Sequence, residues 1–166
     1  MLGFFISSVL GAFFYRLRGA DLGIGTQANR LIWCGFIVLL VGALTNSWLA
    51  ALASAVGAFV GLMIPHGDYH DMGRGRHPGY WSDAVMLLVI GLARGILILV
   101  PSMLVTGAYS LLIPFGAVAF GVSHAIAYMI GWELDRFLIK RGVHATETGE
   151  ALAGLLWGAT IYLALQ

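Results

Sequence analysis

The stretch AVMLLVIGLARGILILVPSMLVTG, from Ala84 to Gly107, carries one charge, Arg94, in 24 residues. At 1.5 Å per residue a helix of that length reaches about 36 Å, more than the ~30 Å hydrocarbon core of a bilayer. The rest of the chain is built the same way. Over 166 residues it is 60% hydrophobic and 10% charged, with a mean hydropathy of +0.89. A soluble domain carries about 25% charged residues, so this composition points to a membrane.

Working outward between turn signals, five further stretches read as helices: Leu2–Tyr15, Leu31–Leu44, Trp48–Ile64, Ala108–Trp132 and Ala151–Leu165. The expected fold is all-α, a polytopic transmembrane helical bundle of about six membrane helices forming a single integral membrane domain over residues 1–166. The first, second and sixth stretches are about 14–15 residues long, roughly 21–23 Å, and are expected to borrow flanking polar residues or sit in thinned lipid. Thr45-Asn46-Ser47 and the region of Thr106-Gly107 read as tight helical hairpins.

Six alternating crossings put the three longer connections, Arg16–Arg30, Pro65–Asp83 and Glu133–Glu150, on one side. Eight of the nine basic residues follow them: Arg16, Arg18, Arg30, Arg74, Arg76, Arg136, Lys140 and Arg141. The positive-inside rule then makes this face cytoplasmic and leaves both termini outside. No basic region precedes the first apolar stretch, which argues against a cleaved signal peptide. Nine Lys and Arg against eight Asp and Glu leave a net charge of +1, with no basic excess to hold nucleic acid. The single cysteine, Cys34, excludes an intrachain disulfide or a zinc ribbon.

Small residues recur four apart in Gly57/Gly61, Gly91/Gly95, Ala117/Gly121 and Gly154/Gly158, a spacing that lets helix backbones approach closely. Trp33, Trp48, Trp81, Trp132 and Trp157 lie mostly near segment ends, as an interfacial belt requires.

The densest polar run is Pro65-His66-Gly67-Asp68-Tyr69-His70-Asp71-Met72-Gly73-Arg74-Gly75-Arg76-His77. His66 and His70 share a face if the helix continues, and His66, Asp68 and His70 share a side if the chain is extended. Either arrangement offers two imidazoles and a carboxylate to a divalent transition metal such as Zn²⁺, Mn²⁺ or Fe²⁺. Without metal, His66, Asp68, His70 and Asp71 are the candidate acid–base catalytic residues. The bland alternative is a polar loop that solvates its helix ends.

Arg94 is the expensive residue, since a central arginine costs about 2.5–3.5 kcal/mol on insertion and so faces the bundle interior or water. Three roles are open to it: snorkelling, pairing with a carboxylate such as Asp83, Glu133, Glu147 or Glu150, or holding an anion together with Arg74 and Arg76. Counted from the cytoplasmic ends, His124 falls near the same depth and is a candidate pocket residue. Glu147 and Glu150 complement the dipole at the start of the last helix, capped by Thr146 or Thr148. Residues 133–141 read as an amphipathic interfacial continuation of the fifth helix, ending near Gly142.

Tyr15-Arg16-Leu17-Arg18-Gly19 with Arg30, the run from His66-Gly67-Asp68-Tyr69 to Met72-Gly73-Arg74, and Glu150 followed by Gly154 and Trp157-Gly158 together resemble small multi-pass membrane proteins of tailed phages and prophages. The resemblance implies a bacterial inner-membrane setting and transfers no catalytic residue.

The functional expectation is a cytoplasm-facing polar pocket that binds, and in one version processes, an anionic small molecule or lipid head group. The competing readings are a pore, transporter or holin-like protein lined by Arg94 and His124, and an accessory subunit packed against other membrane subunits. Polar residues are sparse in the outer turns, which favours the one-sided pocket. With Cys34 changed to Ser, a single cysteine at position 73 should be protected from an impermeant thiol reagent in intact cells, and one at Asn46 should label. Outside labelling at position 73 would invert the topology.

Overall fold

The computed structural model describes residues 1–19, 26–64, 80–107, 112–142 and 148–166. These form six helices and, among the described residues, no strand: α1 Leu2–Gly19, α2 Thr26–Thr45, α3 Trp48–Met63, α4 Tyr80–Thr106, α5 Leu112–Ile139 and α6 Thr148–Ala164. Two stretches, Asp83–Thr106 and Pro114–Ile139, are each long and apolar enough to cross a membrane. Leu2–Leu17, Arg30–Thr45 and Trp48–Met63 are shorter apolar helices.

The first, second and last helices have 18, 20 and 17 residues, longer than their apolar stretches. Polar residues at the ends of those stretches, such as Arg16 and Arg30, end the hydrophobic run without breaking the helix, because neither competes with the backbone for its hydrogen bonds. The connection between α2 and α3 is the expected tight hairpin. Asn46 takes a left-handed conformation, φ 50°, and Ser47 caps α3 by accepting from Ala50 N–H at 3.2 Å. At the end of α5, Gly142 has φ 76° and donates its N–H to Ile139 O at 3.0 Å, the glycine stop expected there.

Consecutive helices pack side by side and α6 returns to α1, so the six form a closed ring. Contact registers fix its direction. Gly57 meets Leu97 and Gly61 meets Arg94; Gly91 meets His124 and Gly95 meets Phe120; Gly131 meets Gly149 and Gly116 meets Ala164; Gly11 meets Gly154 and Gly3 meets Tyr162. In each pair one index rises as the other falls, so these neighbours run antiparallel. One end of the ring, the loop end, therefore collects Gly19, Thr26, Ile64, Tyr80, Gly142 and Thr148, and the hairpin end collects the termini and Thr45, Trp48, Thr106 and Leu112.

All four pairs of small residues lie in these seams. The closest approach has a covalent cause. Pro101 lies inside α4 and has no N–H for the carbonyl four residues back, which is Leu97 O. That carbonyl turns toward α3, where the bare Cα of Gly57 lies against it, and an added Cβ would overlap the oxygen. Gly11 and Gly154 meet reciprocally, each facing the other's carbonyl.

Outward faces are apolar on every helix, with Phe5, Leu39, Leu52, Val89, Phe115 and Leu163 all exposed. Trp48 is exposed near the hairpin end, but Trp33 and Trp157 are fully buried. These two belong to the core and not to an interfacial belt, because their helix faces turn into the ring.

Gly57→Ala should destabilise the protein by about 1–3 kcal/mol, the usual range for forcing atoms into a packed contact. Gly35→Ala, where nothing lies within 4 Å of the new Cβ, should be neutral or stabilising by about 0.5–1 kcal/mol through helix propensity. Thermal melting in detergent compares them, and equal melting temperatures would remove the α3–α4 seam from the stability argument.

Candidate functional site

Aromatic side chains from four helices fill the ring. Tyr15 of α1 meets Trp33 of α2 edge-on at 4.9 Å and Trp157 of α6 at 4.6 Å between centroids. Trp157 stacks against Phe120 at 5.1 Å and against His124 at 5.1 Å, both on α5. His124 in turn meets Tyr128 edge-on at 4.6 Å. All six are at most 1% exposed.

Into this cluster α4 sends Arg94, itself 1% exposed. Its Nε donates to Gly61 O at 2.9 Å, Nη2 to Ile64 O at 3.3 Å and Nη1 to the Tyr15 hydroxyl at 3.3 Å. Gly61 and Ile64 stand at the C-terminus of α3, where Gly61 O accepts the cap N–H of Ile64 at 3.3 Å and keeps a second lone pair, and where the dipole end is negative. A guanidinium answers both, with several donors in a fixed fork and a full positive charge. Gly61 has a packing reason too: an added Cβ would lie 3.2 Å from Arg94 Cγ.

This arrangement differs from simple snorkelling, because the guanidinium turns inward to α3 and α1. Arg94 is linked to His124 through Tyr15 and Trp157. His124 fits there because Gly91 leaves room; a Cβ on Gly91 would lie 2.5 Å from His124 Cβ.

A second polar contact ties α5 to α6 at the loop end. The Thr148 hydroxyl donates to the Asp135 carboxylate, which is 6% exposed, beside the close approach of Gly131 to Gly149. Asp135 therefore stands by the N-terminus of α6, where an anion is stabilised, and Glu150 lies in that helix's first turn as expected. Thr148 turns its hydroxyl to α5 instead of capping its own helix.

The proposed loop site is a different matter. His66, Asp68, His70, Asp71, Arg74 and Arg76, with Glu147, lie outside the described residues. Among the described residues no group of three or more His, Cys, Asp or Glu is placed to hold a metal ion.

Tyr15, Trp33, Trp157 and Tyr128 were not singled out as site residues from the sequence. Trp157 carried a usable signal: it lies between Gly154 and Gly158 at helical spacing, on the face that the glycines turn to α1. Tyr15 carried none, since its role depends on an arginine 79 positions away.

The chain matches no known family model, no curated protein and no solved structure.

Arg94→Met pits two costs against each other. Removing a charge from a helix that crosses a membrane would recover about 2.5–3.5 kcal/mol, while three described hydrogen bonds from a charged donor are lost, at about 1.5–3 kcal/mol each. The bonds win: the variant should lose about 1–6 kcal/mol, and Arg94→Lys should also destabilise, because an ammonium cannot reproduce the fork. A Met variant melting at or above the wild-type temperature would show that these bonds do not hold α3.

Proposed function

We propose that the chain is an integral membrane protein whose six helices all cross the bilayer, with the loop end cytoplasmic and both termini outside, and that the loop end binds an anionic small molecule or lipid head group. Apolar outward faces on every helix support the crossings, with shorter helices shielded by neighbours in the ring. Eight basic residues on loop-end segments support the orientation.

One observation carries the binding site: the buried Arg94 grips Gly61 O and Ile64 O, at the root of the segment that bears His66, Asp68, His70, Asp71, Arg74 and Arg76. In this reading Arg74 and Arg76 contact the anion, Arg94 supplies the positive field beneath it, and the His and Asp residues hold a divalent metal or move protons on the ligand. A pore is the weaker reading, because Tyr15, Trp33, Phe120 and Trp157 fill the ring where a path would run.

Glycerol phosphate serves as a soluble probe for a phosphate-bearing head group. Titration into purified protein should give saturable binding that Arg74→Gln/Arg76→Gln weakens at least tenfold, about 1.4 kcal/mol, with the melting temperature of the apo protein unchanged. Binding of equal strength in the double variant, or none in the wild type together with no copurifying phosphate, would end this reading.

A further inference from the structure

The last turns of α5 run past the start of α6. The Asp135–Thr148 bond and the Gly131–Gly149 approach set the level at which α6 begins, so residues from Arg136 to Arg141 extend past it by about 9 Å. Measured on a bilayer, the polar head-group layer adds about 5–7 Å on each side of the hydrocarbon. The protruding end has the depth of that layer, which rests on the membrane reading above.

Its outward face has two parts. Toward the bundle, a shallow open groove is lined by Met129, Ile130, Glu133, Leu134 and Phe137. At the tip, Lys140 and Arg141 form the turn that closes the helix, Lys140 N–H donating to Arg136 O and Arg141 N–H to Leu138 O, and both are exposed. The Arg141 guanidinium lies over the Phe137 ring, 3.9 Å from its centroid, so a cation–π contact holds that charge on the groove side. Arg136 sits over Trp132 at 5.8 Å in the same manner. Phe137 is 47% exposed and Leu134 39%.

We infer that this face binds one anionic phospholipid of the surrounding bilayer, its phosphate between Lys140 and Arg141 and an acyl chain along Ile130, Leu134 and Phe137. The order is the one a lipid needs, with positive charge at head-group depth and apolar surface directly beneath it. Glu133 does not compete for the phosphate, since it lies seven residues, about 10 Å, below Lys140 along the axis. Its charge also disfavours a second anionic head group deeper on this face. A basic residue near an anionic surface is worth about fivefold in affinity, so two converging on one phosphate discriminate against a zwitterionic lipid.

The full chain in nanodiscs of equal parts phosphatidylglycerol and phosphatidylcholine, released into native mass spectrometry, reads the lipids it retains. Wild type should keep phosphatidylglycerol in preference, and Lys140→Gln/Arg141→Gln should reduce that preference about tenfold or more at an unchanged melting temperature. Phe137→Ala, which frees Arg141 and removes the groove's upper wall, should reduce it less. Retention of phosphatidylglycerol by the double variant at the wild-type level overturns the inference. So does loss in Arg74→Gln/Arg76→Gln alone, which would assign the lipid to the loop site proposed above. Release of wild-type protein from membranes by alkaline carbonate would refute the membrane reading and this inference with it.

Discussion

A single side chain crosses the ring. Arg94 starts from α4 and reaches the Tyr15 hydroxyl of α1, on the opposite side of a closed six-helix cycle, while gripping the end of α3 on the way. In an apolar interior each of these bonds is stronger than in water, and each partner is costly to leave bare. The same bonds therefore permit α3 to end inside the bundle and fix the distance between helices that do not pack directly. Tyr15 can serve as the acceptor because Trp33 and Trp157 hold its ring from two sides. The arginine, the aromatic cluster and the α3 terminus form one unit.

Around that unit the ring closes by backbone proximity. Lipid tails are as apolar as leucine, so membrane helices gain little by burying leucine against one another, and close van der Waals contact takes over. Many large apolar residues point outward and glycines line the seams, an arrangement that suits the membrane reading proposed above. Pro101 and Gly57 show how two residues on different helices answer each other: one frees a carbonyl, and the other leaves space for the helix that carries it. The resulting Cα–H···O contact is weak by itself, about 0.5–1 kcal/mol. Its effect on geometry is larger, because it brings α3 near enough for Arg94 to reach Gly61 O.

Helix number and approximate position were legible because uncharged apolar runs and turn residues are local signals. The glycine pairs were legible for the same reason, since spacing alone places them on one face. Helix ends were less so: Arg16 and Arg30 mark where apolarity stops, while helical hydrogen bonding continues past them. The partners of Arg94 were hidden because two of the three are backbone carbonyls, which every residue possesses and no sequence distinguishes. The tryptophans misled in a specific way. A position near a segment end suits both an interfacial anchor and a core residue near the end of a buried face, and only the neighbouring glycines separate Trp157 from Trp48.

The two ends of the ring are held by different means. At the hairpin end the α2–α3 turn is closed by neighbours in sequence: Asn46 in its left-handed conformation and Ser47 accepting from the Ala50 N–H three residues on. At the loop end α5 is also closed locally, by Gly142, but the ends of α3 and α6 are held in addition by other helices, Arg94 to α3 and Asp135 to α6. A local turn is set by its own residues and can carry little else, whereas a terminus held from a distance leaves its connecting segment at liberty in sequence. The segment that follows α3 carries three of the five histidines, His66, His70 and His77, with Asp68, Asp71, Arg74 and Arg76. The long-range bonds thus fix the end of α3 and the start of α6 independently of the loop residues, an arrangement that suits the loop site proposed above.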